Sequence, residues 1–215
     1  MQNIKNLISK DDTIFVAGHK GMVGSNIIKE LKNKGYKNLI TVSKEDLDLR
    51  SNQQVETWFK YNKPNVVILA AAKVGGIAAN NNFPTEFLID NLKIQNNVIE
   101  FAWKNNAKRL LFLGSSCIYP KYSKQPIIEE ELLTSSLEKT NESYAIAKIS
   151  GLQLCKSLRN QYEFDAISLM PTNLYGPGDN FDVSNGHVLA ALIKKFCDAK
   201  NNNDKEVECW GSGKP

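Results

Sequence analysis

A phenol and an ammonium stand four residues apart in Tyr144-Ala145-Ile146-Ala147-Lys148, a spacing that puts both on one face of a helix. Tyrosine is a poor acid or base near pH 7 because its ordinary pKa is about 10. A neighbouring ammonium, or the positive charge of a nicotinamide, favours phenolate and lowers that value. Such a pair gives a proton to a carbonyl oxygen as hydride reaches the carbon. Ser115, within Leu113-Gly114-Ser115-Ser116-Cys117, offers a second hydrogen bond to the same oxygen. A binding site for a hydride donor is legible upstream, in Gly18-His19-Lys20-Gly21-Met22-Val23-Gly24. The first glycine of this GxxGxxG permits a tight turn, the next lets backbone approach a pyrophosphate, and the last lets helix pack close to strand. A predicted strand precedes the loop and a predicted helix follows, the context that a dinucleotide site requires.

Lys20 and Lys44 put two ammonium groups near the expected adenosine ribose, and the second strand ends in Ser43-Lys44 with no acid. An acid there would hold the ribose hydroxyls of NAD, so the pattern predicts NADP(H). The competing reading leaves both lysines as solvated surface charges. In Asp46-Leu47-Asp48-Leu49 the leucines are expected to flank the adenine and the acids to cap the next helix.

Cys117 and His187 admit two readings each. Cys117 follows Ser115 by two residues and is either a small core residue or a thiol that exchanges protons with carbons beside a ketone. His187 either opens a surface helix or supplies the second group tuned to proton exchange near neutrality.

Alternating strands and helices must position these groups. Strands are predicted at 13–17, 39–42, 66–71, 110–113 and 166–170, and helices at 23–34, 86–105, 143–161 and 188–197. Val66-Val67-Ile68-Leu69-Ala70-Ala71 is continuously apolar, as a strand covered on both faces must be. The fold class expected is α/β, a Rossmann-like doubly wound parallel sheet with part of a smaller C-terminal substrate domain. Residues 1–174 would form the first unit and 175–215 an incomplete second one. Ligands of such sheets bind at the carboxyl ends of the strands, where each motif above falls. Asn80-Asn81-Asn82 and Asn201-Asn202-Asn203 read as loops, and Val207-Glu208-Cys209-Trp210 as a strand whose turn, Gly211-Ser212-Gly213, has nothing after it. That ending reads as a truncated chain.

Composition narrows the class. The 215 residues are 42% hydrophobic and 23% charged, with a net charge of +4. The lysines are scattered, so an anionic small molecule is expected and nucleic acid is not. Cys117, Cys155, Cys197 and Cys209 show no CxxC spacing, which supports neither a disulfide framework nor a metal site. Reduced thiols, no apolar run of membrane-spanning length and no signal core give the expectation of a cytoplasmic protein without membrane partners.

The motifs together resemble the extended short-chain dehydrogenase/reductase superfamily and, within it, the GDP-L-fucose synthase family, which are GDP-4-keto-6-deoxy-D-mannose 3,5-epimerase/4-reductases. The resemblance rests on Gly18 to Gly24, Ala70-Ala71-Ala72-Lys73-Val74-Gly75-Gly76-Ile77, Leu113 to Pro120, Asn141 to Lys148, Met170-Pro171-Thr172-Asn173-Leu174-Tyr175-Gly176-Pro177 and Asp179-Asn180-Phe181. It implies that the glycine loop and Lys44, Glu45, Asp46, Leu47, Asp48 and Leu49 hold the adenosine end of NADPH. Leu113, Gly114, Ser115 and Ser116, with Pro171, Thr172, Asn173 and Leu174, would line the nicotinamide side, Lys148 and His187 touching the cofactor as well. Tyr144, Lys148 and Ser115 would serve ketone reduction, and Cys117 and His187 epimerisation on either side of the ketone. Lys195 and Trp210 fall at substrate-contact positions, for the diphosphate and the guanosine of a GDP-linked keto-deoxyhexose. The resemblance also implies a homodimer through the 86–105 and 143–161 helices. The family commonly carries arginine at Lys20 and Lys195, and lysine keeps the charge without the bidentate fork. Two other readings stay open: a different nucleotide-sugar epimerase or reductase of the superfamily, and a non-catalytic NADP-binding fragment.

Overall fold

The structure, a computed structural model, describes residues 7–183 and 186–209. Strand β1 (Ile14–Ala17) leads into helix α1 (Met22–Asn33), then β2 (Leu39–Ile40), α2 (Asn52–Asn62) and β3 (Val66–Leu69). A short α3 (Ile77–Asn82) precedes α4 (Pro84–Lys104), β4 (Arg109–Leu113), α5 (Glu142–Tyr162), β5 (Ala166–Leu169) and α6 (Val188–Asn202). The five strands form one parallel sheet in the order β2-β1-β3-β4-β5.

Residue types explain the layers. Every residue of β1 and β3 is buried, so both faces of these central strands are covered. Side chains alternate between the two faces. Phe15, Ala17, Val67, Leu69, Leu110 and Phe112 point to one side and pack with Val55 and Phe59 of α2, Val98 and Ile99 of α4, and Cys155 and Leu158 of α5. Ile14, Val16, Val66 and Ile68 point to the other and meet Ile27, Ile28 and Leu31 of α1. The register Ile14↔Val66 through Ala17↔Leu69 brings the ends of β1 and β3 level. The glycine loop and the 70–76 segment therefore leave the sheet side by side.

Several boundaries differ from expectation. The second strand stops at Ile40, because β2 is an edge strand paired only with β1. The chain then enters a turn in which the amides of Asp46 and Leu47 donate to the Ser43 carbonyl. Leu47 does not lie open for an adenine: it is buried in the core at 4% exposure. Nor do the acids cap the next helix. Ser51 caps α2 by accepting from the Gln54 amide, while Asp48 binds Arg50. Asn80 to Asn82 belong to α3 and Asn201 and Asn202 to α6, which runs five residues past its predicted end at 197. Residues 207–209 form no strand: the Glu208 carbonyl accepts instead from the Lys195 ammonium at 3.0 Å. Trp210 and the turn after it lie outside the described residues.

Phe59 shows how much the larger core contributes. It is fully buried, with Phe15 edge-on at 6.0 Å and Trp58 at 5.2 Å between ring centroids. Phe59→Ala should cost about 3–5 kcal/mol, read as a lower urea midpoint at unchanged m-value.

Candidate active site

The glycine loop is built by contacts that exclude side chains. Gly18 has φ +88°, and a Cβ there would lie 2.6 Å from the Ala71 amide nitrogen. A Cβ on Gly24 would collide with the Gly18 carbonyl, so α1 starts hard against the end of β1. Gly21 opens α1 without any side-chain cap, leaving the first-turn amides of Met22, Val23 and Gly24 without a side-chain acceptor. An uncapped helix start behind a glycine turn suits a pyrophosphate. The loop after β5 reaches over this helix start: the Asn26 side chain donates to the Pro177 carbonyl at 3.2 Å, and Gly178 faces Met22. Lys20 meets Glu45 at 3.7 Å, which joins the glycine loop to the turn after β2. Lys44 is exposed in the same turn, and His19 is half-buried within the loop.

Along the same carboxyl edge of the sheet, two strands over, β4 runs into a 3₁₀ turn at Ser116–Ile118 that Ser115 caps, its hydroxyl accepting from the Cys117 amide at 3.2 Å. Backbone bonds lock this turn to the end of β5: Gly114 N donates to Leu169 O at 2.8 Å and Ser116 N to Pro171 O at 3.0 Å. Thr172, Asn173 and Leu174 lie beyond this seam and are exposed. Tyr144, on the first turn of α5, brings its phenol close enough to the Ser115 hydroxyl and to Cys117 for both to bear on its ionisation. Phe87 of α4 supports the phenol ring edge-on, at 6.3 Å. Hydroxyl, thiol and phenol thus converge at the carboxyl end of β4.

Lys148 behaves differently from expectation. Its ammonium donates to the Leu113 carbonyl at 2.8 Å and lies 5.0 Å from the Phe112 ring centre and 5.8 Å from that of Tyr144. Burial pushes its pKa down to about 8. Burial likewise pushes the Tyr144 phenol up to about 12, the Ser115 hydrogen bond offsetting part of the rise and Cys117 adding to it. The protein alone therefore holds a protonated phenol, not a lysine-tuned phenolate. Desolvation outweighs the ammonium, which is turned toward a carbonyl.

The remaining candidates sit on later elements. His187 is exposed at the start of α6, on a different element from the Ser115, Cys117 and Tyr144 group. Lys195, two turns into α6, binds the Glu208 carbonyl. Trp210 lies outside the described residues.

Sequence reasoning missed the inner face of α4, where buried amides hold the site segments in place. Asn91 receives the Lys73 amide at 2.8 Å and donates to the Lys73 carbonyl at 3.0 Å. Gln95 donates to the Ala147 carbonyl, and Asn97 to the Leu49 carbonyl. Asp90 adds ion pairs to Arg50 at 3.4 Å and Lys73 at 3.5 Å. The available signal was a polar Gln95 in helical register with Leu88, Leu92, Val98 and Ala102.

Known proteins resemble the chain over nearly its whole length. The chain is 54% identical over 212 residues to GDP-L-fucose synthase 1 of Arabidopsis thaliana, covering 99% of this chain and 66% of that protein. It is 50% identical over 202 residues to the GDP-L-fucose synthase of Escherichia coli, covering 94% and 63%. Among solved structures, a GDP-L-fucose synthetase from Naegleria fowleri bound to NADP superposes with a TM-score of 0.85 at 32% identity, covering 97% of this chain and 68% of that one. The chain thus spans slightly less than two thirds of the length of these curated relatives. The family match itself runs over residues 14–215. By that match, which takes in the glycine loop and the Ser115, Cys117 and Tyr144 cluster alike, the chain belongs to the NAD dependent epimerase/dehydratase family.

Proposed function

We propose that this chain carries the cofactor site and the chemical groups of a GDP-L-fucose synthase, which epimerises GDP-4-keto-6-deoxy-D-mannose at C3 and C5 and reduces it at C4 with NADPH. The observation that carries the reading is the convergence of the Ser115 hydroxyl, the Tyr144 phenol and Cys117 on one strand end. A simple reductase needs the first two; the thiol is what a double epimerisation adds.

The residues fit the dinucleotide. Gly18 and Gly24 let β1 and α1 close on each other with no room for a side chain, α1 starts uncapped, and Lys20 of the glycine loop and Lys44 of the adjoining turn are assigned to a 2′-phosphate. Bound there, NADPH supplies the hydride. The protein's own groups manage the protons. The C4 ketone acidifies the hydrogens on C3 and C5, so a thiol and an imidazole can exchange them, and Cys117 and His187 take these roles. Tyr144, protonated at neutral pH, then gives its proton to the ketone oxygen while Ser115 hydrogen-bonds the same oxygen. The Lys148 ammonium steadies the phenolate left behind. Once C4 bears a hydroxyl, both neighbouring carbons lose their acidity and the new configuration is locked.

The substrate side rests on later residues. Lys195 is assigned to the diphosphate and Trp210 to the guanosine, within a substrate-binding part that begins near residue 175. We assign the outer faces of α4 and α5, which expose Ile89 and Ile146, to a homodimer interface. The described residues contain no helix long and apolar enough to cross a membrane, and a cytoplasmic location accords with a reducing NADPH enzyme.

Three measurements test the reading. Gly24→Ala should abolish NADPH binding, followed by cofactor fluorescence, because the added methyl forces α1 off the glycine turn; retained affinity would remove the proposed cradle. Cys117→Ser should slow solvent-deuterium exchange at C3 and C5 by roughly 10²–10⁴-fold and spare reduction of a pre-epimerised ketone. Tyr144→Phe should do the reverse, and equal losses in both assays would contradict the division of labour. Finally, the reduction rate should fall as pH rises through about 8, where Lys148 gives up its charge. In Lys148→Arg that limb should move to higher pH, since guanidinium stays charged. NADPH binding with no turnover in any assay would favour the non-catalytic fragment, a reading motivated by the share of the relatives' length that this chain spans.

A further inference from the structure

We propose that Gln95 is a positioning residue for the reaction: reaching from α4, it fixes the turn of α5 that presents Tyr144 and Lys148 to the ketone. The inference rests on the reading above and concerns a residue that touches neither substrate nor cofactor.

Gln95 is 2% exposed and donates its side-chain amide to the Ala147 carbonyl at 2.5 Å. Ala147 immediately precedes Lys148 and follows Tyr144 by three residues. A helix carbonyl has a second lone pair, so this bond adds to the helical ladder without replacing a rung. It is the directional contact that ties the catalytic turn to its neighbouring helix. One turn later, Gly151 lets the same helix settle onto the sheet. A Cβ there would meet the Phe112 ring at 2.6 Å and the Gln95 side-chain carbon at 2.9 Å. Phe112 in turn lies beneath the Lys148 ammonium. Gln95, Gly151 and Phe112 form one tight corner, in which Phe112 sets how deep α5 sits and Gln95 sets where it sits along α4.

Apolar packing alone would not need this amide. Burying a glutamine among Val98, Ile99 and Ala102 costs free energy unless its polar atoms find partners, and a leucine would fill the volume. The use of a donor at this place, aimed at this one carbonyl, indicates that the position of the turn matters.

Gln95→Leu removes the donor and keeps the bulk. In the full chain, kcat for ketone reduction should fall roughly 10- to 100-fold, the size of effect that follows from displacing a reacting group by a fraction of an ångström to an ångström. NADPH affinity should fall far less than kcat, because Gln95 makes no contact with the glycine loop and reaches the cofactor only through the expected Lys148 contact. A second readout needs no turnover: in cofactor-free protein carrying ¹³C-labelled tyrosine, with the signal assigned through Tyr144→Phe, the Tyr144 titration should move down from about 12 as water enters the loosened turn. Unchanged kcat and an unchanged titration in folded Gln95→Leu would overturn the proposal. So would parallel losses of kcat and NADPH affinity, the mark of general damage. Should Gln95→Leu fail to fold, Gln95→Met, flexible and equally without a donor, takes its place; failure of both to fold assigns Gln95 a structural role and also overturns the proposal. If the starting protein shows no activity on the GDP-sugar, the functional reading falls, while the tyrosine titration still decides the role of Gln95.

Discussion

The Gly151–Phe112 contact governs the rest of the site. No atom fits between the helix backbone and the aromatic ring, so α5 lies directly on β4 and its first turn overhangs the strand's carboxyl end. That overhang places the Tyr144 phenol over Ser115 and lets Lys148 reach the Leu113 carbonyl. The same tactic recurs where Gly24 closes on Gly18, bringing α1 against β1. Two missing side chains thus set the distance of two helices from one sheet, and the glycine turn and the Ser115, Cys117 and Tyr144 cluster lie at the strand ends beside these helices.

Close packing has an electrostatic consequence. Tyr144 and Lys148 are buried enough that each is pushed toward its neutral form: the phenol up to about 12, the amine down to about 8. Burial so severe would be a liability in a structural residue. In the proposed reaction it sets a direction for the chemistry, since a protonated phenol is the form a carbonyl reduction consumes. The ammonium is held by a backbone carbonyl and an aromatic face, neither of which neutralises it. Its charge stays available to whatever negative charge develops nearby.

Much of this arrangement is legible in the chain because single residue types dictate it. Short, β-branched apolar runs such as Val66 to Leu69 suit doubly covered strands, and the i, i+4 spacing of Tyr144 and Lys148 places them on one face once the segment is helical. Other features depend on competition that sequence does not display. Leu47 and Leu49 read as open to an adenine, yet both turn to the core, Leu47 buried within it and Leu49 half-buried against it. Asp48 looks like a helix cap, but the Arg50 guanidinium two residues on makes three nitrogen–oxygen contacts and its backbone amide a fourth, which takes the carboxylate and leaves the cap to Ser51. Lys148 was expected to tune Tyr144; which way a long flexible amine turns depends on a carbonyl presented by a strand 35 residues away.

The inner face of α4 shows how a core combines two kinds of force. Hydrophobic burial supplies most of the stability, but it is non-directional, and apolar surfaces can slide with little penalty. Positional demands are met by the amides placed among those apolar side chains: Asn91 holds the segment after β3, Asn97 the segment after β2, and Gln95 the start of α5. These three segments arise far apart in the chain, and each is bonded to this helix. A glutamine or asparagine in an apolar stripe is costly when unpaired, so each fits only one arrangement of its partner. The helix therefore acts as a gauge as well as a wall, and the separation between the segments after β2 and β3 and the Tyr144 phenol is fixed by where its amides fall along its length.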